Sequence, residues 1–396
     1  MLSIKPIHVM NKLKIAMITH YQSSGSLYLH SLLDGHPQIM TIPGVPQLDP
    51  VINGMFSSAK QAINVFDNAN PKFFDTSRMT LIDLNNSGLY RLGKNLNEGI
   101  STDKSLFKQN FYECIYNEEL SPRNIIISLY YAYAKSHGMD LNMKKILLFH
   151  PHAMHRTIAM NDLFPDSKYL VTIREPARAY HSRLKLMENK AKARNIAYSH
   201  LGLLSADANN IYELLKREMS MRIVRVEDFS KYSKYIMTKL CDYLKIDYDG
   251  SLEISSFGSK LYWGANPNYK NNKFSKIRHL RLLPLKRREL IVFSIMNKRL
   301  NKITGYRTIK LSWLEKKLVV LWLLLPFPED IRWLKKEALS PDYSGNYQNL
   351  FNVIKWIKND WFQERKTLLK INKRNSYSNK NYDLVKKYII NPNDEV

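Results

Sequence analysis

Three times along this chain a short, mainly apolar run stops at a polar turn and gives way to residues at helical spacing. Lys14 to His20 (KIAMITH) enters the small-residue turn Tyr21-Gln22-Ser23-Ser24-Gly25-Ser26. Leu27, Leu29, Leu32 and Leu33 then recur at helical intervals until Gly35-His36-Pro37. Lys145 to Phe149 (KILLF) enters His150-Pro151-His152-Ala153-Met154-His155, and the helix that follows reaches about Phe164, where Pro165-Asp166-Ser167 breaks it. Lys168 to Ile173 (KYLVTI) ends at Arg174, and Pro176 suits the first turn of a helix running to about Lys192. A fourth unit, Arg222 to Val226, alternates apolar and basic residues before Glu227-Asp228-Phe229 and a helical stretch from about Tyr232 to Leu244. Short apolar runs bounded by turns read as strands covered on both faces. Their alternation with helices predicts an α/β fold, a parallel sheet flanked by helices, because parallel neighbours need a crossover between them.

The rest of the sequence bounds what surrounds that sheet. Of 396 residues, 44% are hydrophobic and 24% charged, which excludes a disordered or collagen-like chain. Cys114 and Cys241 stand far apart without a CxxC, which excludes a disulfide framework and a Cys-rich zinc site. They read as buried thiols in a reducing compartment. Ile15 to Ile18 is too short for the apolar core of a signal peptide, so the expected location is cytoplasmic. The greasiest run, Leu318 to Leu325, falls well short of the roughly 20 residues of a bilayer span and reads as a core helix or an interfacial segment. Residues 45–140 read as mixed helix and loop, and 255–275 as a long loop.

Charge divides the chain. Residues 1–259 hold 31 basic and 24 acidic residues and residues 260–396 hold 29 and 11, within a net charge of +25. We expect an α/β domain over 1–280 and a basic, mainly helical extension over 281–396. Such asymmetry favours an anionic contact: a nucleotide, a membrane surface, an acidic glycan or nucleic acid. No RRM or zinc-finger signature accompanies the charge, so no specific nucleic-acid partner is expected.

Candidate chemistry gathers at the turns. Backbone N–H groups of a small-residue turn at a helix start favour an anion. Gly25 permits close approach, and the hydroxyls of Ser24 and Ser26 can donate directly. The GxxxxGK[ST] of a Walker-A kinase is absent. Arg174 closes a strand at the end where open α/β sheets bind ligands, and Ser182 follows eight residues later on the same side of the next helix. An arginine fork and a hydroxyl can together hold a second phosphate. The alternative is a surface pair of Arg174 with Glu175 or Asp166, and an idle serine.

Three segments together resemble the PAPS-dependent sulfotransferases. IAMITHYQSSGSLYLHSLLDGHPQI is similar to their 5′-phosphosulfate loop, a strand followed by [KR]-[SG]-G-[ST]-[ST], a helix and often HP. LFPDSKYLVTIREPARAYHSRL is similar to their 3′-phosphate motif, with R-x-P and a Ser eight residues after the Arg. RIVRVEDF with LCDYLKI resembles their RYEDL…FLGI strand and helix. The style is that of the carbohydrate, tyrosyl-protein and bacterial branches, over roughly residues 14–265. The resemblance implies a P-loop-like sheet and PAPS as donor, without a metal. It also implies a cradle of Ser23, Ser24, Gly25, Ser26 and Leu27 for the phosphosulfate, Arg174 and Ser182 for the 3′-phosphate, and a loop around Trp263 and Gly264 closing over the nucleotide. Two positions depart from the family pattern: Ser23 stands where Lys or Arg is usual, and His150-Pro151 where K-x-P is usual.

A general base must take the acceptor's proton, and histidine has the suitable pKa. His152 is the expected base, with His155 behind it and Asp49 as an outlying candidate. Solvent-facing or helix-capping histidines are the alternative. The 150/152/155 spacing lacks a carboxylate or Cys to complete a metal set. The expected function is transfer of a sulfuryl group to a hydroxyl of a glycan or glycolipid, the alternative a non-catalytic nucleotide- or polyanion-binding protein of the same fold. Basic pairs and tryptophans interleave over 281–396, which suits an anionic membrane surface.

Overall fold

The computed structural model describes residues 5–21, 24–80, 87–152, 154–176, 178–179, 214, 217, 219–264, 291, 301, 304–306, 312–325, 366, 369–370 and 388–392. At its centre is a parallel sheet of β1 (Lys14–His20), β2 (Ile39–Thr41), β3 (Ile146–Phe149), β4 (Lys168–Ile173) and β5 (Met221–Arg225), in the order β2-β3-β1-β4-β5. β1 and β4 run over the residues their apolar runs predict. The three-residue β2 has no counterpart in the sequence reading.

Alternate residues of each strand enter opposite cores, as the two-residue strand period requires. Met17, Leu147, Phe149, Val171 and Ile223 join one cluster with α1 (Pro6–Asn11), α4 (Ala59–Ala69), α5 (Lys104–Ile115) and α6 (Pro122–Ser136). The short α3 (Asp49–Ile52) packs with that group. Ala16, Ile18, Leu148, Leu170 and Val224 join the other with α2 (Ser26–Leu33) and α8 (Val226–Leu244). α7 (Met154–Leu163) carries the chain from β3 to β4.

Capping sets where these helices begin. Asp103 accepts from the N–H groups of Ser105 and Leu106 ahead of α5. Ser121 accepts from Asn124 ahead of α6, with Pro122 in its first turn. α6 then buries every residue from Ile125 to Ala134 and forms the middle of its layer. α8 starts six residues before the expected Tyr232, which instead marks a kink with φ −130° and ψ 35°.

Two departures concern the C-terminal half. Inside the expected long loop lies a hairpin, β6 (Ser256–Phe257) and β7 (Lys260–Leu261). Far along the chain, Ile389 bridges Ile223 in parallel and Ile390 N–H donates to the Ile223 carbonyl (3.0 Å), covering part of the β5 edge. Most of the expected extension lies outside the described residues. Within it, α9 (Trp313–Leu324) carries a capping box of Ser312 and Glu315 and exposes Trp313, Leu314 and Leu321. Among the described residues no helix is long and apolar enough to cross a membrane.

Candidate active site

The strand order fixes where a ligand can approach. After β1 the chain departs toward β2, and after β4 toward β5, so the β1–β4 crevice is a switch point at the C-terminal ends of the strands. The turn after β1 is fastened there. Tyr21 N–H donates to the Thr172 carbonyl (2.9 Å), and the Ser24 hydroxyl donates to the same carbonyl (2.8 Å) and meets the Thr172 hydroxyl (2.8 Å). Gly25 then takes φ +79°, and a Cβ placed on it would lie 2.8 Å from Val226 Cγ2. Backbone conformation and close approach both demand glycine. The α2 ladder starts with Tyr28 and Leu29 N–H donating to the Gly25 carbonyl. The N–H groups of Gly25, Ser26 and Leu27 therefore precede the ladder at the positive end of the helix dipole.

This geometry corrects one expectation. Ser24 does not offer its hydroxyl to an anion, because that group is engaged on β4, and its N–H is engaged on the Tyr21 carbonyl (3.1 Å). The N–H groups that precede the ladder are those of Gly25, Ser26 and Leu27. Ser23 and Ser182 lie outside the described residues.

Arg174 stands directly after β4, two residues beyond Thr172. Its neighbour Glu175 donates its N–H to Glu227 Oε1 (3.0 Å), whose Oε2 accepts from the Tyr306 hydroxyl (2.7 Å). Glu175 itself is ion-paired with Arg178 (2.6 Å).

Of the loop expected to close over a nucleotide, the described part reaches Gly264 and is fastened to residues 87–93. Trp263 donates its indole N–H to the Gly93 carbonyl (2.5 Å), and the Tyr262 hydroxyl donates to the Ser87 carbonyl (2.8 Å). Gly258 N–H donates to Asp34 Oδ2 (2.8 Å), and Ser31 meets Ser255 (2.7 Å). The hairpin is thus fixed along α2, with Leu27 packed against the cluster of Leu89, Leu92, Ile100, Phe257 and Tyr262. Gly264 follows with φ +86°.

On the other side of β1 the site is built from imidazoles. β3 stops at Phe149, opposite Met17, while β1 continues to His20. The turn from His150 to His152 consequently runs beside Ile18–His20. One ring nitrogen each of His20, His150 and His152 lies within 4.8 Å of the others. Ring centroids are 4.3 Å apart for His20 and His152 and 5.3 Å for His150 and His152. His152 is held at φ +65°, a left-handed conformation that non-glycine residues adopt at a cost. The His155 side chain lies outside the described residues. Asp49 is ion-paired with Arg156 (2.6 Å).

Behind this trio, hydrogen bonds fix a tautomer. The Thr41 hydroxyl donates to the Leu148 carbonyl (2.9 Å), so it must accept from His30 Nε2 (2.8 Å). Burial lowers the His30 pKa to about 3, so this ring is neutral and carries its one proton on Nε2. Its Nδ1 therefore accepts, and His150 Nδ1 donates across 3.1 Å. Burial, reinforced by the neighbouring histidines, holds His150 well below the ordinary imidazole value. Its Nε2 is then a bare lone pair, buried and without a hydrogen-bond partner among the described residues. His30 and Thr41 were not expected at the site, and His20 only as a cation that could stand in for the basic residue absent at Ser23. The HP turn and the apolar spacing of α2 are the only sequence signals near them.

Comparison with known proteins follows the same lines. The model of the Sulfotransferase family matches residues 17–250. Similar solved structures include a sulfotransferase domain from the curacin biosynthetic pathway, 18% identical, covering 75% of this chain and 100% of that one, with a TM-score of 0.44. Another is the sulfotransferase domain of the Synechococcus PCC 7002 olefin synthase, 16% identical, covering 80% and 97%, with a TM-score of 0.40. The sulfotransferase STF1 of Mycobacterium tuberculosis H37Rv is 10% identical, covering 62% and 71%, with a TM-score of 0.36. No curated protein matches the sequence.

Proposed function

The chain belongs to the sulfotransferase family, and from that premise we propose that it transfers a sulfuryl group from PAPS to a hydroxyl of a glycan or glycolipid. The observation that carries this reading is the shared carbonyl of Thr172. By accepting from both Tyr21 and Ser24, it sets the leading N–H groups of α2 beside the strand end that bears Arg174. The phosphosulfate lies on the N–H groups of Gly25, Ser26 and Leu27, and the 3′-phosphate on Arg174 and Ser182. The acceptor oxygen attacks sulfur in line. Its bond to sulfur forms as the bond from sulfur to the phosphate oxygen breaks, and 3′,5′-ADP departs. The hydroxyl proton passes to His152, with His155 as the second candidate. Positioning and stabilisation of charge on the departing oxygen supply the catalysis, as in phosphoryl transfer.

The glycolipid part of the reading is supported by α9. Trp313, Leu314 and Leu321 are exposed there, and Lys317 lies 4.0 Å from the Trp313 ring. Cations and aromatic rings of this kind suit the headgroup region of an anionic membrane, on which the protein would sit peripherally.

Ser23 favours a second reading, a binding module without turnover, because a basic side chain is usual at that position. Titration with 3′,5′-ADP and with ATP, followed by incubation of labelled PAPS with an acceptor panel, tests the proposal. Binding of 3′,5′-ADP in preference to ATP and label on a hydroxyl acceptor are expected. Preference for ATP overturns the donor assignment, and binding without transfer to any acceptor leaves the module.

A further inference from the structure

The trio of imidazoles beside β1 has a chemistry that sulfuryl transfer does not require. We propose that His20, His150 and His152 form a site for one divalent transition-metal ion of the zinc and cobalt class. One nitrogen from each ring lies within 4.8 Å of the others. Two imidazoles on one such ion, each bound at about 2.0–2.1 Å, hold their nitrogens a little over 3 Å apart at tetrahedral angles. Closure therefore asks for small ring rotations at the strand end and no change of fold.

The hydrogen bonds behind the trio point the same way. His150 Nδ1 donates to His30, so Nε2 is the nitrogen it can offer, and that atom is buried with no hydrogen-bond partner among the described residues. A metal-binding histidine usually donates its other ring N–H to a fixed acceptor, which sets both tautomer and orientation. His30, itself held by Thr41, is that acceptor here. An anion would need protonated rings, whereas this network presents a lone pair. The left-handed backbone of His152 (φ +65°) is a strained conformation kept where it brings a third ring to the others.

Three protein ligands leave a coordination position open. The spacing 150/152/155 does not reveal the set, because its third member comes from the end of β1 through the β1–β3 register. Occupied, the same nitrogens are withdrawn from proton transfer, so the ion acts as a brake on the chemistry assigned to His152. The binding itself does not depend on that assignment, because it is measured without donor or acceptor.

The test uses the full chain, stripped of metal by a chelator and titrated with Co²⁺ while visible d–d absorption is followed, then with Zn²⁺ as competitor. One equivalent of Co²⁺ should bind with a saturating band that Zn²⁺ abolishes. His150→Ala and His152→Asn should each weaken binding at least about tenfold, and His30→Ala about 10- to 100-fold through loss of the supporting acceptor. Asn tolerates left-handed backbone, so His152→Asn tests the ligand with little risk to the fold. His8→Ala, at an exposed position on α1, should change nothing. Circular dichroism confirms that each variant is folded. Absence of a saturable band, or a band unchanged in folded His152→Asn, overturns the proposal. Failure to bind 3′,5′-ADP would instead count against the transfer reading alone.

Discussion

The two sides of β1 offer opposite chemistry within one strand's width. Toward β4 lie hydrogen-bond donors: the leading N–H groups of α2 and the guanidinium of Arg174. Toward β3 lie the imidazoles of His20, His150 and His152, among which His150 Nε2 is left as an acceptor by the bond its Nδ1 makes to His30. His20 is opposite Thr172 in the β1–β4 register, so the last residue of β1 belongs to both sides. A group carried as an anion would rest on the first side while a proton leaves toward the second.

The largest expected effect is on the β3 side. His152→Asn should lower turnover about 10²- to 10⁴-fold, the range for loss of a positioned acid or base, and leave 3′,5′-ADP affinity within about twofold. Turnover is read with labelled PAPS and affinity by calorimetry. Equal losses in both would erase the distinction between the two sides.

Next is the β4 side. Arg174→Ala should cost about 1.5–3 kcal/mol of 3′,5′-ADP binding, roughly 10- to 150-fold, because charge-assisted bonds to phosphate are the stronger kind. Adenosine 5′-phosphate, which lacks the 3′-phosphate, should lose much less. Similar losses for both ligands would remove Arg174 from the 3′-phosphate.

The third test acts on the helix common to both sides. α2 carries Gly25 before its first residue and Asp34 after its last, and Asp34 holds the β6–β7 hairpin through Gly258. Burial raises the Asp34 pKa from 3.8 to about 7, against the opposing effects of the Gly258 N–H and Lys144. The folded state therefore binds more protons than the unfolded state between about pH 4 and 7, and stability falls as pH rises through that window. Asp34→Asn keeps an acceptor for Gly258 and should flatten this fall by on the order of 2 kcal/mol, once the partial exposure of the residue is allowed for. Urea unfolding of both proteins at pH 4.5 and 7 measures it. Parallel slopes would show that Asp34 does not titrate across that window.

The donor side was the more legible in the sequence, for a physical reason. A strand, a small-residue turn and a helix are contiguous, so KIAMITHYQSSGS states the residue order of β1, the turn and the start of α2 directly. The strand ends at Arg174 were equally plain, because β4 is a continuous apolar run. The acceptor side depends on register. His20 meets His150 and His152 only because β1 outlasts β3, and His30 only because α2 lies across β2 and β3. No local pattern encodes such a meeting. Trp263 is a further case: the sequence shows an indole in a loop, but only the hairpin docked on residues 87–101 shows where its N–H is engaged.

The smallest expected effect tests the fastening between the two sides. Ser24 reaches across to β4 with a single hydroxyl, which donates to the Thr172 carbonyl and also meets the Thr172 hydroxyl. Ser24→Ala removes both of these buried contacts, each worth about 1 kcal/mol net. The Thr172 carbonyl keeps its bond from Tyr21 N–H, so the strand end is not left unsatisfied. Thr172→Val removes the second contact while leaving that carbonyl in place. If the hydroxyl pair sets the cradle beside Arg174, the two substitutions should couple, with a double-mutant interaction energy of at least about 0.5 kcal/mol in 3′,5′-ADP binding. Co²⁺ binding at the histidines should stay unchanged in all three variants, since no ring nitrogen of the trio relies on Ser24. Additive losses in donor binding would mean that the Tyr21 bond alone aligns the turn. A parallel loss of Co²⁺ would mean that the two sides of β1 move as one unit.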